Sequence, residues 1–246
     1  MPLHRPAQLP LRFHRRGGAR AGAGRPPNGK SAGVSHLARP SLSRHHPLHV
    51  TLRLTSGVPS LRNQALFRGV RKALSEARQR FGFRLVHFSV QSNHLHLIAE
   101  AADRRALSRG VQGLCIRVAR AVNRRLERKG RLFADRYHAR ALRTPRAAHY
   151  ALRYVLLNAR KHLRAPATGA TQAVPFGFID SRSSAAWFQG FRRPAELAFG
   201  SREARAEWRA TSPLEAPVVP AKTWLLRVGY RRYGSFDSDE APASSA

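Results

Sequence analysis

Two histidines separated by one residue lie in the segment HLHLIAEA, residues 94–101. This segment is predicted to be a β-strand, so His94 and His96 project from the same face. Two neutral imidazoles in that arrangement can chelate one divalent cation, which then accepts phosphate oxygens as further ligands. The alternative interpretation is two polar residues on an exposed sheet face, since a chain with 12 histidines also produces such pairs by chance.

A tyrosine and an asparagine four residues apart, Tyr154 and Asn158, lie one above the other on a predicted helix. If this helix docks on the sheet, it brings a phenol and an amide oxygen to the same metal. An amide oxygen is a hard ligand that suits Mg²⁺ or Mn²⁺, and ligation by His94, His96 and Asn158 leaves positions open for phosphate. The alternative is that Tyr154 only packs, with its hydroxyl at the rim.

The elements that must position these residues follow the order strand, helix, strand, strand, helix, strand, helix. Period-two alternation and helical spacing of apolar residues predict them, with strands at 49–55, 83–91, 94–101 and 131–142 and helices at 63–81, 104–128 and 145–163. The first six match the α+β plan of a ferredoxin-like (RRM-like) antiparallel sheet with two helices on one face. The third helix is an addition to that plan.

Local signals predict where the helices begin and end. Gly82 is expected to end the first helix. Asp103 is the predicted N-cap of the second, and Gly130 its C-terminal glycine. Thr144 is the predicted N-cap of the third helix, with Pro145 at its first position.

The chain is predicted to have three parts. Residues 1–45 contain no acidic residue and are rich in Arg, Gly and Pro, so we expect a disordered basic tail. Residues 46–163 form the expected catalytic domain. Residues 164–246 are an appended, irregular region that packs on the core by its aromatic side chains and ends in a frayed acidic segment.

The charge of the chain indicates a polyanionic partner. Lys plus Arg number 45 against 13 Asp plus Glu, a formal net charge of +32, and nucleic acid is the commonest partner of such a chain. A GC-rich genome explains Arg in place of Lys, but it does not explain the missing acids. Seven arginines, which lie on the second helix or between residues 136 and 146, are the candidate DNA contacts: Arg117, Arg120, Arg124, Arg136, Arg140, Arg143 and Arg146.

Cysteine usage and hydropathy limit the setting of the protein. A single cysteine, Cys115, excludes an internal disulfide and a multi-cysteine zinc site. No segment approaches the roughly 18 apolar residues of a membrane span, and no apolar segment of a secretory signal follows the basic N-terminus. We therefore expect a cytoplasmic, nucleoid-associated protein with no membrane partner.

Three segments together resemble the single-tyrosine HUH transposases, which include small insertion-sequence transposases and REP-associated tyrosine transposases. The segments are SVQSNHLHLIAE (89–100), FADRYHARALRTP (133–145) and YALRYVLLNARKH (150–162). The resemblance spans about residues 47–163. Many REP-associated members have proline after the asparagine of the last motif, whereas this chain has Ala159, so the resemblance does not fix the subgroup.

The resemblance implies a function for each motif. Tyr154 would attack a phosphodiester of single-stranded or hairpin DNA and form a covalent 5′-phosphotyrosine. His94, His96 and Asn158 would hold Mg²⁺ or Mn²⁺, and no nucleotide cofactor is required. Members of the family commonly act as dimers, in which the tyrosine helix sometimes completes the partner's site, so we expect a homodimer and leave the arrangement of the tyrosine open.

Other residues compete for these roles. Tyr150 is the main rival nucleophile, although it has no Asn or Gln four residues later. Tyr137 is expected to be structural or to contact DNA. His49 and His87, on neighbouring strands, are expected to have structural roles on the sheet face.

Two other functions remain open. The first is a non-catalytic single-stranded nucleic-acid-binding protein on the same fold, although the aromatic run of an RNA-recognition domain is missing. The second is a metal-dependent hydrolase that uses a carboxylate near the histidine pair, for which Glu100 is the nearest on the strand. A covalent protein–DNA adduct that is lost in Tyr154→Phe would exclude both.

Overall fold

A computed structural model describes residues 41–163, 178–192, 216–238 and 240, which all belong to one compact unit, His36–Ala246. The predicted basic tail lies outside these residues up to position 40, and so does most of the predicted frayed end. Within the described ranges, every helix is too short or too polar to cross a membrane.

A five-stranded antiparallel sheet forms the centre of the protein, in the order β2-β3-β4-β1-β5. The strands are β1 (Leu48–Arg53), β2 (Gln79–Arg80), β3 (Phe83–Val90), β4 (His94–Ala101) and β5 (His138–Ala141). Three long helices accompany it: α1 (Gln64–Ala77), α2 (Arg104–Arg125) and α3 (Pro145–Leu163). The prediction of an α+β fold with an antiparallel sheet is confirmed.

The strand order explains how two helices come to lie on one face. The helix α1 connects β1 to β3, and β4 lies between these two strands. In the same way α2 connects β4 to β5, with β1 between them. Each connection therefore crosses one strand, as in the split βαβ plan that the sequence predicts, and β2 adds a short strand at one edge.

The helices begin where the sequence predicts. The Asn63 side chain accepts hydrogen bonds from the first turn of α1, and Asp103 Oδ1 accepts one from Ala106 N at 2.7 Å at the start of α2. In α3, Thr144 Oγ1 accepts from Ala147 N at 3.1 Å, and Pro145 is the first helical residue. These bonds satisfy backbone donors that have no partner within a helix.

The end of α1 differs from the prediction. The helix ends at Ala77 instead of Phe81, and β2 pairs with the beginning of β3 across a two-residue loop. Phe81 and Gly82, with φ of 51° and 78°, form this loop. Two consecutive positive φ angles are characteristic of the tight turn that best matches the twist of a hairpin, so the hairpin replaces the last helical turn.

Two further boundaries are shorter than predicted. The helix α2 ends at Arg125 because Glu127, not Gly130, takes the first left-handed conformation, with φ of 50°. The predicted strand 131–142 is reduced to β5, preceded by one isolated bridge between Leu54 and Phe133. Leu132 and Phe133 are both buried, so the side chains do not alternate there as in a regular strand.

Both faces of the sheet are covered. On one face, α1 and α2 pack against residues such as Val50, Leu52 and Leu97. On the other face, α3 and the C-terminal segments form a second core that includes Val86 and Ile98. The polar side chains of β1 and β4 point to the α3 face, so they lie beneath a helix and not on an open sheet surface.

The described C-terminal segments pack on α3 through aromatic residues. They contain a 3₁₀ turn at Ala185–Trp187, the short helix α4 (Trp224–Arg227) and a second 3₁₀ turn at Gly229–Tyr233. Four aromatic side chains of these segments are buried in the second core: Phe188, Phe191, Tyr230 and Phe236.

Two charged anchors attach these segments to the rest of the chain. Arg62 forms a bidentate pair with buried Asp180, at 2.9 and 2.8 Å. The Glu100 carboxylate accepts hydrogen bonds from the backbone N–H groups of Lys222 and Thr223, at 2.8 and 2.7 Å.

Candidate active site

The register between β1 and β4 brings their polar side chains together. Thr51 lies opposite His96, and Arg53 lies opposite His94. Because side chains two apart on a strand share a face, His49 projects from the same surface as Thr51 and His96. The histidine pair therefore lies in a row of polar side chains that α3 covers.

The two histidines of β4 differ in their surroundings. Their ring centroids are 4.6 Å apart and the rings are nearly perpendicular, at 83°. His94 is partly exposed, and its Nδ1 lies 2.8 Å from Asn93 Oδ1. His96 is only 4% exposed. One imidazole is thus open to solvent and the other is held inside the protein.

Each ring nitrogen of His96 faces a different set of partners. On one side, Nδ1 lies 3.2 Å from His49 Nε2 and 3.3 Å from Thr51 Oγ1. On the other side, Nε2 lies 3.5 Å from the hydroxyl of Tyr154. The orientation of the His96 ring is therefore fixed by residues from β1 and α3.

Tyr154 lies across the buried part of this cluster, in the same chain. Its ring centroid is 5.0 Å from that of His96 and 5.7 Å from that of His49, and both contacts are edge-on. The side chain is partly exposed. The structure thus brings a phenol from α3 to the histidine pair of β4, although the two stretches are 58 residues apart in sequence.

Asn158 lies one helical turn beyond Tyr154 on α3. It is 1% exposed, and neither its Oδ1 nor its Nδ2 has a hydrogen-bond partner among the described residues. A buried amide without partners costs about 1–3 kcal/mol per unsatisfied group, so native structures keep very few of them. An amide oxygen available as a ligand fits the donor set that the sequence predicts for a divalent cation.

Within the described ranges, no group of three or more His, Cys, Asp and Glu side chains is placed to hold a metal ion. A cation held by His94 and His96 would take its further ligands from oxygen donors outside these residue types, for which the Asn158 amide is the candidate that the sequence predicts. Mixed imidazole and oxygen donors suit several divalent cations.

The two histidines that the sequence assigns to structural roles, His49 and His87, have different surroundings in the structure. His87 keeps such a role: it is buried, packs edge-on against Phe188 and lies 3.2 Å from Ser184 Oγ. Burial lowers the pKa of His87 to about 3. His49 also lies on the sheet face with a hydrogen-bond partner, but its contacts are His96 and Tyr154, so it lies within the histidine cluster.

His49 has a neutral ring at physiological pH. Burial, and then the positive charges of His138 and Arg140, lower the pKa of His49 to about 4. His138 and Arg140 are the β5 partners of Thr51 and His49 in the sheet, so they lie on the same face. A neutral imidazole can donate one hydrogen bond and accept one.

The two other candidate tyrosines lie elsewhere. Tyr150 packs edge-on against His149, and Arg146 lies over its ring at 5.7 Å. Tyr137 packs against the core on the α1 and α2 side of the sheet, opposite to α3. Of the three, Tyr154 is the tyrosine that contacts the histidine pair.

The predicted DNA-contacting arginines fall into two groups. Arg117, Arg120 and Arg124 belong to α2, which covers the face of the sheet opposite to Tyr154. The other four are exposed and lie before, within or after β5 or in the first turn of α3: Arg136, Arg140, Arg143 and Arg146. Only Arg140 shares its sheet face with the histidine cluster.

Glu100, the carboxylate of the hydrolase alternative, is occupied in the structure. It is 4% exposed, forms a salt bridge with Arg84 at 3.1 Å and accepts two backbone hydrogen bonds from the C-terminal segment. These contacts engage both of its oxygens, so Glu100 holds the C-terminal segment against β4.

Two comparisons with known proteins find matches. Residues 45–155 match the family described as "Transposase IS200 like", a range that includes His94, His96 and Tyr154. A solved structure described as "Structure of the REP associates tyrosine transposase bound to a REP hairpin" is 17% identical. It aligns with a TM-score of 0.44 over 52% of this chain and 74% of its own. No curated protein matches the sequence.

Proposed function

We propose that the protein, whose residues 45–155 match the family described as "Transposase IS200 like", cleaves and rejoins single-stranded or hairpin DNA through Tyr154. The substrate is a phosphodiester at or near a hairpin, and the physiological process is DNA transposition or a related rearrangement. A protein with this activity works on the chromosome, at the nucleoid.

The observation that carries the proposal is the contact between Tyr154 and His96. The phenol oxygen lies 3.5 Å from His96 Nε2, so a potential nucleophile and a potential metal ligand converge from α3 and β4. Tyr150 and Tyr137 do not share this position, and Glu100 is held in other contacts. A covalent mechanism with a tyrosine nucleophile therefore fits these residues better than hydrolysis with a carboxylate base.

The proposed reaction has two steps, cleavage and rejoining. Tyr154 loses its hydroxyl proton, and its oxygen attacks the phosphorus of the scissile phosphodiester. The bond from phosphorus to the 3′-oxygen breaks, and that oxygen takes up a proton as the free 3′-hydroxyl. A 3′-hydroxyl of the same or a second strand then attacks the 5′-phosphotyrosine and releases Tyr154, so the energy of the phosphodiester is conserved.

His94, His96 and Asn158 are the residues that would hold Mg²⁺ or Mn²⁺. A bound cation would supply a Lewis acid that polarises the phosphoryl oxygen and helps to align the displacement. The chain itself fixes the imidazole of His96 between β1 and α3 and places the phenol of Tyr154 beside it. No nucleotide cofactor takes part, because the covalent link stores the bond energy.

Basic side chains near the cluster would bind the DNA backbone. Arg53 and Arg140 share the sheet face of the histidine pair, and Arg143 and Arg146 lie at the beginning of α3. These residues are placed to contact phosphates close to the scissile bond. Arg120 and Arg124, on the opposite face, would contact phosphates farther along the DNA. Sequence-independent phosphate contacts of this kind position a nucleic acid without selecting its sequence.

The test uses DNA whose sequence need not be known in advance. A pool of single strands, each with a hairpin stem flanked by randomised nucleotides, is incubated with the full chain and Mn²⁺. Adducts that survive denaturing electrophoresis are recovered, and the attached 5′ ends are sequenced. The variant Tyr154→Phe is compared with Tyr150→Phe, which also removes a phenol hydroxyl, one helical turn away.

We expect a covalent adduct and a free 3′-hydroxyl product from the wild type and from Tyr150→Phe, and neither product from Tyr154→Phe. An adduct that persists in Tyr154→Phe would disprove the assignment of the nucleophile. Retention of DNA without any cleavage would favour the non-catalytic binding protein. Cleavage without an adduct would favour a hydrolase.

A further inference from the structure

Two residues of β1 converge on a single atom of the cluster. His49 Nε2 and Thr51 Oγ1 lie 3.2 and 3.3 Å from His96 Nδ1. Thr51 is the direct cross-strand partner of His96, and His49 is its diagonal neighbour on the same face. Tyr154 packs edge-on against His49 from the other side. The position of both contacts is therefore set by the sheet register and by α3.

The position of the proton on the His96 ring determines whether Nε2 can bind a cation. A neutral imidazole carries one N–H and one free lone pair. If Nδ1 carries the proton, the lone pair of Nε2 points toward the hydroxyl of Tyr154 and is available to a cation. If Nε2 carries it, the N–H is donated toward Tyr154 and His96 cannot be a ligand through that atom.

We propose that His49 and Thr51 are positioning residues that hold His96 in the tautomer with the proton on Nδ1. The Nδ1–H donates to His49 Nε2 and Thr51 Oγ1, and the Nε2 lone pair faces Tyr154. The tautomer is a property of the protein itself. Its role in cation binding rests on the function proposed above. Acceptors that fix the ring of a ligating histidine in this way commonly change metal affinity about 10–100-fold.

Three variants distinguish the hydrogen bonds of the His49 ring nitrogen and the Thr51 hydroxyl from the packing of these side chains. His49→Phe keeps a ring between His96 and Tyr154 but removes the acceptor. His49→Gln places an amide oxygen near the position of Nε2. Thr51→Val keeps the branched shape and removes the hydroxyl. As a matched control, Thr55→Val removes a hydroxyl that bonds to the Leu132 carbonyl, outside the cluster.

The first measurement is the tautomer of His96 in the metal-free protein, from the ¹³C and ¹⁵N shifts of labelled histidine rings. The His96 signals are assigned by their loss in His96→Gln. We expect the proton on Nδ1 in the wild type and in Thr55→Val. In the double variant with His49→Phe and Thr51→Val, we expect a shift of the population toward Nε2–H. His49→Gln should restore the wild-type tautomer in part.

The second measurement is the dissociation constant for Mn²⁺, by calorimetry. We expect it to rise about 10–100-fold in the double variant, and His49→Gln to lie closer to the wild type than His49→Phe. Thermal unfolding of each variant shows that it is folded. An affinity that is the same in the double variant and in the wild type would overturn the inference, even with a changed tautomer.

The inference and the proposed function fail in different ways. A wild type with the proton on Nε2, or a double variant with an unchanged tautomer, overturns the positioning role of His49 and Thr51. A wild type with the expected tautomer and Mn²⁺ affinity that forms no adduct with any hairpin overturns the proposed function alone. In that case the positioning role stands.

Discussion

The hydroxyl of Tyr154 faces Nε2 of His96 in the same chain, at 3.5 Å. The family resemblance leaves open whether the tyrosine helix completes its own site or that of a partner subunit. In this structure α3 lies over the histidine pair of its own sheet, and its outer side is buried by the C-terminal segments. We therefore expect each subunit of a dimer to contain a complete site.

Mixing two inactive variants tests this arrangement. A Tyr154→Phe subunit and a His96→Ala subunit are combined in equal amounts, and adduct formation on hairpin DNA is measured. Because each subunit supplies both groups of its own site, we expect no recovery of cleavage. If the mixture reached about a quarter of the wild-type rate or more while each variant alone stayed inactive, the groups would be shared between subunits.

Asn158→Leu should lower Mn²⁺ binding and adduct formation without lowering the stability of the fold. The amide of Asn158 is buried and has no hydrogen-bond partner in the part of the chain that the structure describes, so an apolar side chain of similar size removes a desolvation penalty. We expect the free energy of unfolding in urea, without metal, to stay equal or to rise by about 1 kcal/mol. Mn²⁺ binding and adduct formation should both decrease at least tenfold. A loss of stability greater than about 1 kcal/mol would mean that the amide has a structural partner.

Stability should decrease at acidic pH because two histidines are buried in the neutral form. The pKa of His87 is lowered to about 3 and that of His49 to about 4, whereas both titrate near 6.5 when unfolded. Between those values the unfolded chain binds more protons than the folded protein. The free energy of unfolding therefore falls as pH decreases from about 6.5 toward 4, by about 1.4 kcal/mol per pH unit for each histidine.

His87→Gln isolates one of these contributions, since the contacts of His87 are with Phe188 and Ser184. Urea unfolding at a series of pH values should show a slope that is smaller than the wild-type slope by about 1.4 kcal/mol per unit below pH 6. Identical slopes for the two proteins would mean that His87 is protonated in the folded state. The control is Thr55→Val, which removes no titratable group.

Glu100→Gln tests the hydrolase alternative. The carboxylate accepts hydrogen bonds from Lys222 N and Thr223 N and pairs with Arg84, and hydrogen bonds to a charged group are worth about 1.5–3 kcal/mol each. We expect a stability loss of about 1–3 kcal/mol and an adduct yield within about threefold of the wild type at a temperature where the variant is folded. Complete loss of cleavage in a folded variant would point to a catalytic carboxylate.

Arg140 and Arg120 should differ in their effect on catalysis. Arg140 shares the sheet face of the histidine cluster, whereas Arg120 lies on α2, on the opposite face. The logarithm of the binding constant for single-stranded DNA falls linearly with the logarithm of the salt concentration. If an arginine contacts a phosphate, its replacement with Ala should make this slope less steep by about 0.7. Only Arg140→Ala should also slow adduct formation at saturating DNA. Equal effects of both replacements on that rate would contradict the placement of the substrate on the α3 face.

The sequence predicts most of the fold because its local signals agree with each other. The predicted N-caps Asp103 and Thr144 begin α2 and α3, and the apolar–polar alternation in β1 is strict. The boundary at Phe81 is missed because a bulky residue with positive φ is uncommon, and only its pairing context makes the hairpin preferable. In the same way, Glu127 takes a conformation that is more typical of the glycine three residues later.

The sequence predicts relations between residues of one element, but not relations that depend on pairing between elements. His94 and His96, and also Tyr154 and Asn158, are related by the period of a strand or a helix. The contact of His49 and Thr51 with His96 depends on the register between β1 and β4, which no local pattern gives. A signal does exist, because the split plan places the first strand beside the histidine strand and Val50 directs His49 to the polar face.

The burial of α3 on both sides has a consequence for how the protein can exchange DNA strands. On its inner side the helix packs on the sheet, and on its outer side His149 contacts the Tyr230 carbonyl at 3.2 Å within an aromatic layer. Moving the tyrosine to a neighbouring molecule would require that layer to open. Under the proposed function, Tyr154 would therefore stay in its own subunit, and the cut end would be carried by rotation of the DNA or of the whole subunit.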